Sequence, residues 1–229
     1  MISAKSLFHF TSNPDTLKAI LETREFQLNY CLETMSQLRD IEAYFPIVCF
    51  CDIRLSQIGN HMKTYGGYGI AMNKSWGIKQ NVNPVSYLNP NSVQSRIIVD
   101  QIRNGNSREK EAALILAAMS KPYKGRMYRH NINGYIEAVK FYDEREWRYF
   151  PFKVIGTSIR HSIQKNVDFN YEEMILPLNS IVKSSEFSLK FTVKDINYII
   201  VPTESDKVSL FEITKGVNIY LWSDLEDDI

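Results

Sequence analysis

Two glutamates in the second half of the sequence are the first candidates for chemistry. In Glu144-Arg145-Glu146-Trp147-Arg148, alternate side chains of an extended strand point to the same side, which predicts Glu144 and Glu146 on one face and Trp147 on the other. Paired carboxylates in a partly desolvated cleft can stabilise a developing positive charge, as at the carbon of a breaking glycosidic bond. The alternative is a solvated edge strand whose charges form salt bridges.

A histidine in an aromatic strand is the second candidate. His9 lies between Phe8 and Phe10, so its side chain points away from both rings and to the same side as the Thr11 hydroxyl. A lone histidine in an apolar strand is either a functional group or a core residue whose ring nitrogens are satisfied. The neighbouring hydroxyl adds weight to a functional role.

The third candidate is an arginine and a tyrosine close to a glycine cluster. Arg54 follows the apolar run 46–53, and its guanidinium could hold a phosphate or carboxylate or pair with a nearby aspartate. Tyr68 stands in Tyr65-Gly66-Gly67-Tyr68-Gly69, where the glycines either let a ligand or strand approach closely or simply form a turn. Tyr65 and Tyr68 both remain candidates for the site.

Basic and aromatic residues are interleaved in KPYKGRMYRH, residues 121–130. The basic residues nominated here are Lys121, Lys124, Arg126 and Arg129. Such a pattern can track a phosphate backbone and stack bases, which makes the segment a candidate contact for nucleic acid. A solvated loop is the alternative.

Cysteine and histidine usage predicts no metal site. Cys31, Cys49 and Cys51 are odd in number and form no Cys-x-x-Cys pair, and the four histidines are scattered, so neither a disulfide framework nor a zinc site is expected. Cys49 and Cys51 lie in the apolar run 46–53 and are predicted to be inert core residues.

The composition is that of an ordinary globular protein. The chain has 229 residues, 44% apolar and 23% charged, which excludes a disordered chain. This length suits one generous core, so a single domain over residues 1–229 is predicted. With 27 basic and 26 acidic side chains, no overall field attracts nucleic acid or an anionic membrane, and any such binding would be local.

The sequence predicts a cytoplasmic protein without membrane association. The opening MISAKSLFHF lacks the basic-then-apolar layout of a secretion signal. The longest apolar run, residues 112–119, is too short to span a bilayer.

Hairpin-like and helix-linked strands alternate along the chain, which favours an α+β fold over a doubly wound parallel sheet. Strands are predicted at 6–11, 46–53, 67–72, 144–152, 187–193, 196–202 and 217–222. Helices are predicted after Asn13, with Leu17, Ile20 and Leu21 on one face, and at 55–64, 73–80 and 204–213.

Two further helices are expected in the middle of the chain. The buried face of the first is predicted to contain Val93, Ile97, Ile98 and Ile102. The second covers the run 112–119, which is apolar all round, as in a helix buried by its neighbours. The polar stretch 121–135 is expected to connect these helices to the next strand, and 156–185 is expected to be irregular.

Three segments together resemble a known family. LFHFTSNPDTLKAIL, FPIVCFCDIRLSQIGNHMKTYGGYGIAMNKSWGIKQNVNPVSY and FYDEREWRYFPF are similar to the AbiGi family, components of bacterial abortive phage-infection systems described as antitoxins. The resemblance implies a role in phage defence, and a partner protein from a toxin–antitoxin pair.

The order of histidine, tyrosine and glutamate on successive strands is also similar to ADP-ribosyltransferase-like folds, including the DarT type that modifies nucleic acid. This likeness implies a mixed, mainly antiparallel sheet with helical insertions, and NAD as cofactor. His9 and Thr11 would hold a ribose of NAD, and Tyr68 would stack on the nicotinamide. Glu146 would bind the nicotinamide ribose and stabilise its cationic transition state.

Two more positions carry over from the same likeness. Glu144 would orient the acceptor, and Arg54 would match an arginine that follows an early strand in the DarT type. The sequence therefore supports two hypotheses: an NAD-dependent ADP-ribosyltransferase or NAD glycohydrolase, and a non-catalytic protein that neutralises or senses a partner toxin.

Overall fold

The structure is a computed structural model that describes residues 5–35, 41–129, 134–151, 162–164, 170–183 and 186–226. The strands are β1 (Ser6–Thr11), β2 (Glu25–Phe26), β3 (Asn29–Met35), β4 (Ile41–Cys51), β5 (Tyr68–Asn73), β6 (Asn83–Pro84), β7 (Ser86–Leu88), β8 (Ser120–Pro122), β9 (Gly125–Arg129), β10 (Gly134–Val139), β11 (Glu146–Tyr149), β12 (Ile163–Gln164), β13 (Leu189–Lys190), β14 (Ile196–Val201) and β15 (Ile219–Leu221). The α-helices are α1 (Pro14–Thr23), α2 (Ile58–Tyr65), α3 (Lys74–Lys79), α4 (Val93–Asn104), α5 (Ser107–Ala118), α6 (Tyr171–Met174), α7 (Leu176–Lys183), α8 (Glu204–Thr214) and α9 (Trp222–Glu226). Short 3-10 helices cover Leu55–Gln57, Phe141–Glu144 and Val193–Asp195.

These elements confirm the α+β class and the mainly antiparallel pairing. The chain folds into two compact units, the first made of 1–27, 49–83 and 188–229 and the second of 28–48 and 84–187. The expectation of one domain over residues 1–229 stays a prediction. Within the described residues, no helix has the length and apolar character needed to cross a membrane.

The first unit is built around strand β1. Along its whole length β1 pairs antiparallel with β5, from Ser6 opposite Asn73 to Thr11 opposite Tyr68. On the far side of β5 lies β14, antiparallel to it, and then β15, parallel to β14. The strands predicted at 6–11, 67–72 and 196–202 are therefore confirmed, and the structure shows that they are neighbours in one sheet.

Local sequence signals set the end of β1 and the start of α1. The Asn13 side chain accepts a hydrogen bond from the Asp15 backbone N–H at 2.8 Å, and Pro14 occupies the first helical turn, where its missing N–H costs nothing. The predicted apolar face is buried, at Leu17, Ile20 and Leu21.

The two sides of β1 belong to different parts of the core of this unit. Phe8 packs in a cluster with Cys51 and Ile58. On the opposite side, the His9 ring lies 5.0 Å from the Phe26 ring, centroid to centroid. This separation follows from strand pleating, as predicted.

The second unit contains a long antiparallel pairing of β3 with β4, from Asn29 opposite Ile47 to Met35 opposite Ile41. Strands β9 and β10 pair antiparallel, and β7 pairs parallel with β8. Helices α4 and α5 pack against one another. Between them Asn106 forms a capping box with Glu109, which fixes the start of α5.

The middle helices exist as predicted, but the predicted buried faces are partly wrong. Helix α4 buries Ser95, Ile98, Val99 and Ile102. Val93 and Ile97, by contrast, are 69% and 53% exposed, and Leu116 of α5 is 56% exposed. Small residues take buried positions instead: Ser95 in α4, whose hydroxyl donates to the Asn89 carbonyl at 2.7 Å, and Ala113 and Ala117 in α5.

Two other segments are more regular than expected. In the polar stretch 121–135, the described residues form most of β8, all of β9 and the beginning of β10, and residues 130–133 lie outside the described residues. In the stretch 156–185, predicted to be irregular, residues 171–183 are almost wholly helical; Asn170 caps the first turn by accepting from the Glu172 N–H. Residues 156–161, 165–169 and 184–185 lie outside the described residues.

A glycine at the end of α2 yields a test of the first unit. Gly66 has φ +118°, and an added Cβ would collide with the backbone of Thr11 and Ser12. Gly216 also has a positive φ, +89°, but nothing lies within 4 Å of its Cβ position. Alanine at Gly216 should cost only backbone strain, about 1–3 kcal/mol, whereas alanine at Gly66 adds an overpacking cost of about 1–3 kcal/mol. Urea unfolding of both variants checks this order, and equal losses would contradict the close approach.

Candidate functional site

The glutamate pair nominated from the sequence lies in the second unit. Glu146 opens strand β11, whereas Glu144 ends the preceding 3-10 helix. Arg145 separates them in the left-handed region, with φ 46°. The expectation of one extended strand through Glu144 is therefore wrong, because the backbone turns at Arg145. Both carboxylates nevertheless reach the same partner, Lys121.

Arg148 is the centre of the polar cluster around this strand. Its side chain has no solvent exposure. Nε donates to Glu146 Oε1 at 2.6 Å, Nη2 lies 2.7 Å from Glu33 Oε1, and Nη1 donates to the Ala118 carbonyl at 2.7 Å. Every guanidinium nitrogen thus has an acceptor, as a buried arginine requires.

Lys121 completes the cluster from strand β8. Its Nζ lies 2.7 Å from Glu144 Oε2 and 2.8 Å from Glu146 Oε2, and 4.6 Å from the centre of the Phe141 ring. Arg148 and Lys121 together bind both oxygens of Glu146, which accepts three hydrogen bonds from these two cations. We refer to Glu33, Lys121, Glu144, Glu146 and Arg148 as the ion-pair network.

Electrostatics keep Glu146 ionised despite its burial. Burial alone would raise the pKa of the Glu146 carboxyl, but the Arg148 and Lys121 cations outweigh it and hold this pKa far below its usual range. For two neighbouring groups, Cys31 and Tyr87, burial is the largest effect and the pKa is raised. Burial, followed by the charge of Glu33, raises the pKa of the Cys31 thiol to about 12. Burial also raises the pKa of Tyr87, whose hydroxyl accepts from the Glu146 backbone N–H at 2.6 Å.

Neither sequence interpretation of the glutamate pair describes this geometry fully. Glu144 and Glu146 are 9% and 6% exposed, so the strand is not a solvated edge, although its charges do form salt bridges. The transferase hypothesis needs a carboxylate open to a ribose. In this arrangement Glu146 does not fit the nicotinamide ribose of NAD, because both of its oxygens are bound by cations.

The other predicted cofactor residues lie in the first unit. Thr11 and Tyr68 are directly opposite one another on β1 and β5, and His9 precedes Thr11 on the same face of β1. The Tyr68 hydroxyl donates to Asp206 Oδ1 of α8 at 3.3 Å. Burial and the Asp206 charge raise the pKa of Tyr68.

His9 has the surroundings of a core residue. Its Nδ1 lies 2.9 Å from the Cys49 carbonyl oxygen, and because a carbonyl only accepts, Nδ1 carries the proton. The ring also lies against Phe26 and Phe50. Burial lowers the pKa of His9, and the hydrogen bond to Cys49 opposes the shift only in part.

Arg54 and Tyr65 lie apart from that strand face. Arg54 is exposed and directly precedes the 3-10 helix Leu55–Gln57, as its predicted position after a buried strand requires. Tyr65 ends helix α2, where its ring lies 4.4 Å from the His61 ring, whereas Tyr68 belongs to β5. The two candidate tyrosines are therefore on different elements.

The interleaved basic segment is not a continuous surface patch. Lys121 is buried in the ion-pair network, which corrects its assignment to nucleic-acid contact. The Arg126 guanidinium lies 4.6 Å from the Tyr135 ring centre and 3.7 Å from Glu42 Oε1. Lys124 is exposed, and the Arg129 side chain lies outside the described part of the structure.

Cys49 and Cys51, which were predicted to be inert core residues, both lie on strand β4. Cys51 is buried in the core of the first unit, and Cys49 is half-buried beside it in β4. Across the described residues, no group of three or more His, Cys, Asp or Glu side chains could hold a metal ion.

Sequence comparisons identify relatives of the chain. Residues 24–202 match the family model described as "Putative abortive phage resistance protein AbiGi, antitoxin". A protein of Lactococcus lactis subsp. cremoris named "Abortive phage resistance protein AbiGi" is 31% identical over 195 residues, covering 76% of this chain and 78% of that protein. No solved structure matches significantly, so the likeness to ADP-ribosyltransferase folds stays a prediction.

The pairing of Glu146 with two cations leads to a stability prediction. Glu146→Gln leaves two buried cations short of a counter-charge, so the free energy of unfolding should fall by about 3–5 kcal/mol. Wild-type stability from this group is present above the ordinary glutamate pKa of 4.5 and is lost as pH falls below it; the variant should lack that part of the acid dependence. Urea unfolding between pH 3 and pH 7 measures both effects. The exposed Glu137→Gln is the matched control and should change stability by less than about 0.5 kcal/mol.

Burial of His9 predicts a second pH dependence, nearer neutrality. Because the folded pKa is lowered from 6.5, the unfolded chain takes up a proton first as pH falls. Stability from the neutral ring is therefore present above pH 6.5 and declines below it, by at most about 1.4 kcal/mol per pH unit. His9→Gln should flatten the slope between pH 6.5 and pH 5.5, whereas His61→Gln should retain it. An unchanged slope in His9→Gln would assign the dependence to another group.

Proposed function

Since the chain belongs to the AbiGi family, we propose that it acts in abortive phage infection as a non-catalytic antitoxin, a protein that binds and neutralises or senses a partner toxin. The description of the matching family contains the word antitoxin, which supports this proposal. The observation that carries the proposal is the state of Glu146: its carboxylate, the group on which catalysis would depend, is buried and bound by Arg148 and Lys121. Such a network stabilises a fold, and both oxygens of Glu146 are already paired with cations.

A neutralising protein needs an accessible surface with apolar anchors, because a few buried side chains supply most of the affinity at protein interfaces. Among the described large hydrophobic residues, Val208 and Phe211 are strongly exposed, at 73% and 66%. They lie three positions apart on α8 and therefore on one face of that helix. We name Val208 and Phe211 the α8 anchor pair and propose that a partner protein covers it.

Neutralisation can be tested in bacteria that express a candidate partner toxin together with this chain. Co-expression of the wild-type chain should restore growth. Val208→Ser with Phe211→Ser should weaken neutralisation and lower affinity for the purified partner by at least about tenfold. Both residues are exposed, so the melting temperature should change little.

The control removes a second pair of exposed apolar side chains elsewhere. Val93→Ser with Ile97→Ser alters an exposed face of α4 in the second unit and should neutralise like the wild type. Failure of the wild-type chain to bind or neutralise the partner would overturn the proposed function. Full neutralisation by the α8 double variant would overturn only the assigned surface.

NAD-dependent ADP-ribosyl transfer is the competing proposal. One observation favours it: Thr11 and Tyr68 are opposed on neighbouring strands, with His9 on the same face. It requires Glu146 to act outside its ion pairs. Steady NAD consumption by the wild-type protein, abolished in a folded Glu146→Gln variant, would replace the antitoxin proposal with this one. Growth rescue without NAD consumption supports binding alone.

A further inference from the structure

The first unit contains a cavity of about 630 Å³ that the proposed antitoxin function does not use. It is lined by Lys5, Ser6, Phe8, Ile53, Arg54, Leu55, Asn73, Asn197 and Tyr198. Of the residues predicted to bind NAD, this lining includes Arg54 and lacks His9, Thr11 and Tyr68. The volume falls in the range of small-molecule sites, about 300–1,000 Å³.

The charged side chains that line this cavity are both cations. Lys5 and Arg54 are both exposed and supply two cations, and the described lining residues include no aspartate or glutamate. The nearest acid along the chain, Asp52, is buried and lies 2.6 Å from Lys74 Nζ. A cavity of this kind attracts an anion.

Fixed amide side chains add hydrogen-bonding groups. Asn197 Nδ2 donates to Ser6 Oγ at 2.8 Å, which holds both side chains in place. Asn73 uses Oδ1 to accept from the Ser75 backbone N–H at 2.9 Å, at the start of α3. Its amide hydrogens are therefore the part of that side chain that can donate to a ligand.

The remaining wall of the cavity is aromatic and aliphatic. The Tyr198 ring stands edge-on to Phe8, with centroids 6.0 Å apart. Leu55 and Tyr198 are only partly buried, and both pack against the cluster that contains Phe8 and Ile53. A flat ring bound against Tyr198 would gain apolar and aromatic contact while its charged group met the cations.

We propose that this cavity binds a small aromatic anion of the phosphorylated-nucleoside class, with the phosphate at Arg54 and Lys5 and the ring against Tyr198 and Leu55. Arg54 supplies the planar donor fork that suits phosphate, and Lys5 adds a second point charge. The first unit thereby acquires a ligand site separate from the ion-pair network and from the α8 anchor pair.

Calorimetric titration of the full chain at low salt with AMP, adenosine and inorganic phosphate tests the two halves of the site. AMP should bind, and adenosine and phosphate should each bind at least about tenfold more weakly, because each lacks one half of the recognition. AMP affinity should fall as salt is added. No AMP binding, or phosphate binding as tight as AMP binding, overturns the proposal.

Charge-removing variants locate the binding. Arg54→Gln and Lys5→Gln should each weaken AMP binding by about tenfold, with the melting temperature of the free protein as a check on folding. Lys18→Gln removes the same charge from an exposed position of α1 in the same unit and should bind AMP like the wild type. If the Arg54 and Lys5 variants, folded, bind AMP unchanged, the site is elsewhere and the proposal fails. This outcome is independent of toxin neutralisation, which is measured with the α8 variants.

Discussion

A guanidinium enclosed by protein must be neutralised where it lies, and this requirement organises the polar interior of the second unit. Moving a charge out of water costs several kcal/mol even after relaxation. Arg148 recovers that cost through Glu33 on β3, Glu146 on its own strand and the Ala118 carbonyl at the end of α5. One side chain thus ties together three elements that are far apart in sequence. Lys121 then becomes necessary, because the glutamates outnumber a single arginine.

Elements marked by local sequence signals could be predicted from the sequence, whereas this network of distant residues could not. β1, α1, β5 and β14 are marked by local signals: alternation, a cap before proline, and short apolar runs bounded by turns. The network could not be predicted in this way, because Glu33 and Arg148 are brought together only by folding. From the sequence alone, Glu144 and Glu146 are interpreted as an acid pair. Their cationic partner, Lys121, lies far away in the chain, in a segment whose composition is typical of a basic loop.

Helix faces show a related gap between pattern and packing. Periodicity finds an apolar stripe but does not say how much of it the neighbouring elements cover, and buried Ser95 and Ala117 take places that larger residues were expected to fill. In α6 the start signal, Asn170 followed by Glu172 and Glu173, is present in the sequence. The apolar periodicity of the surrounding stretch is weak, so the sequence as a whole predicts an irregular segment despite this start signal.

The first unit is assembled from three separate stretches of chain, and this has a consequence for synthesis on the ribosome. Strand β14, which pairs with β5 on one side and β15 on the other, belongs to the last stretch, 188–229. Until it emerges, one edge of β5 has no partner from β14, although β1 and β5 have long been translated. The sheet of this unit therefore cannot be completed before residues 196–221 have been translated, and a ribosome stalled before residue 196 releases a product without β14. In the order of translation, the pairing of β1 with β5 can therefore precede the pairing of β5 with β14.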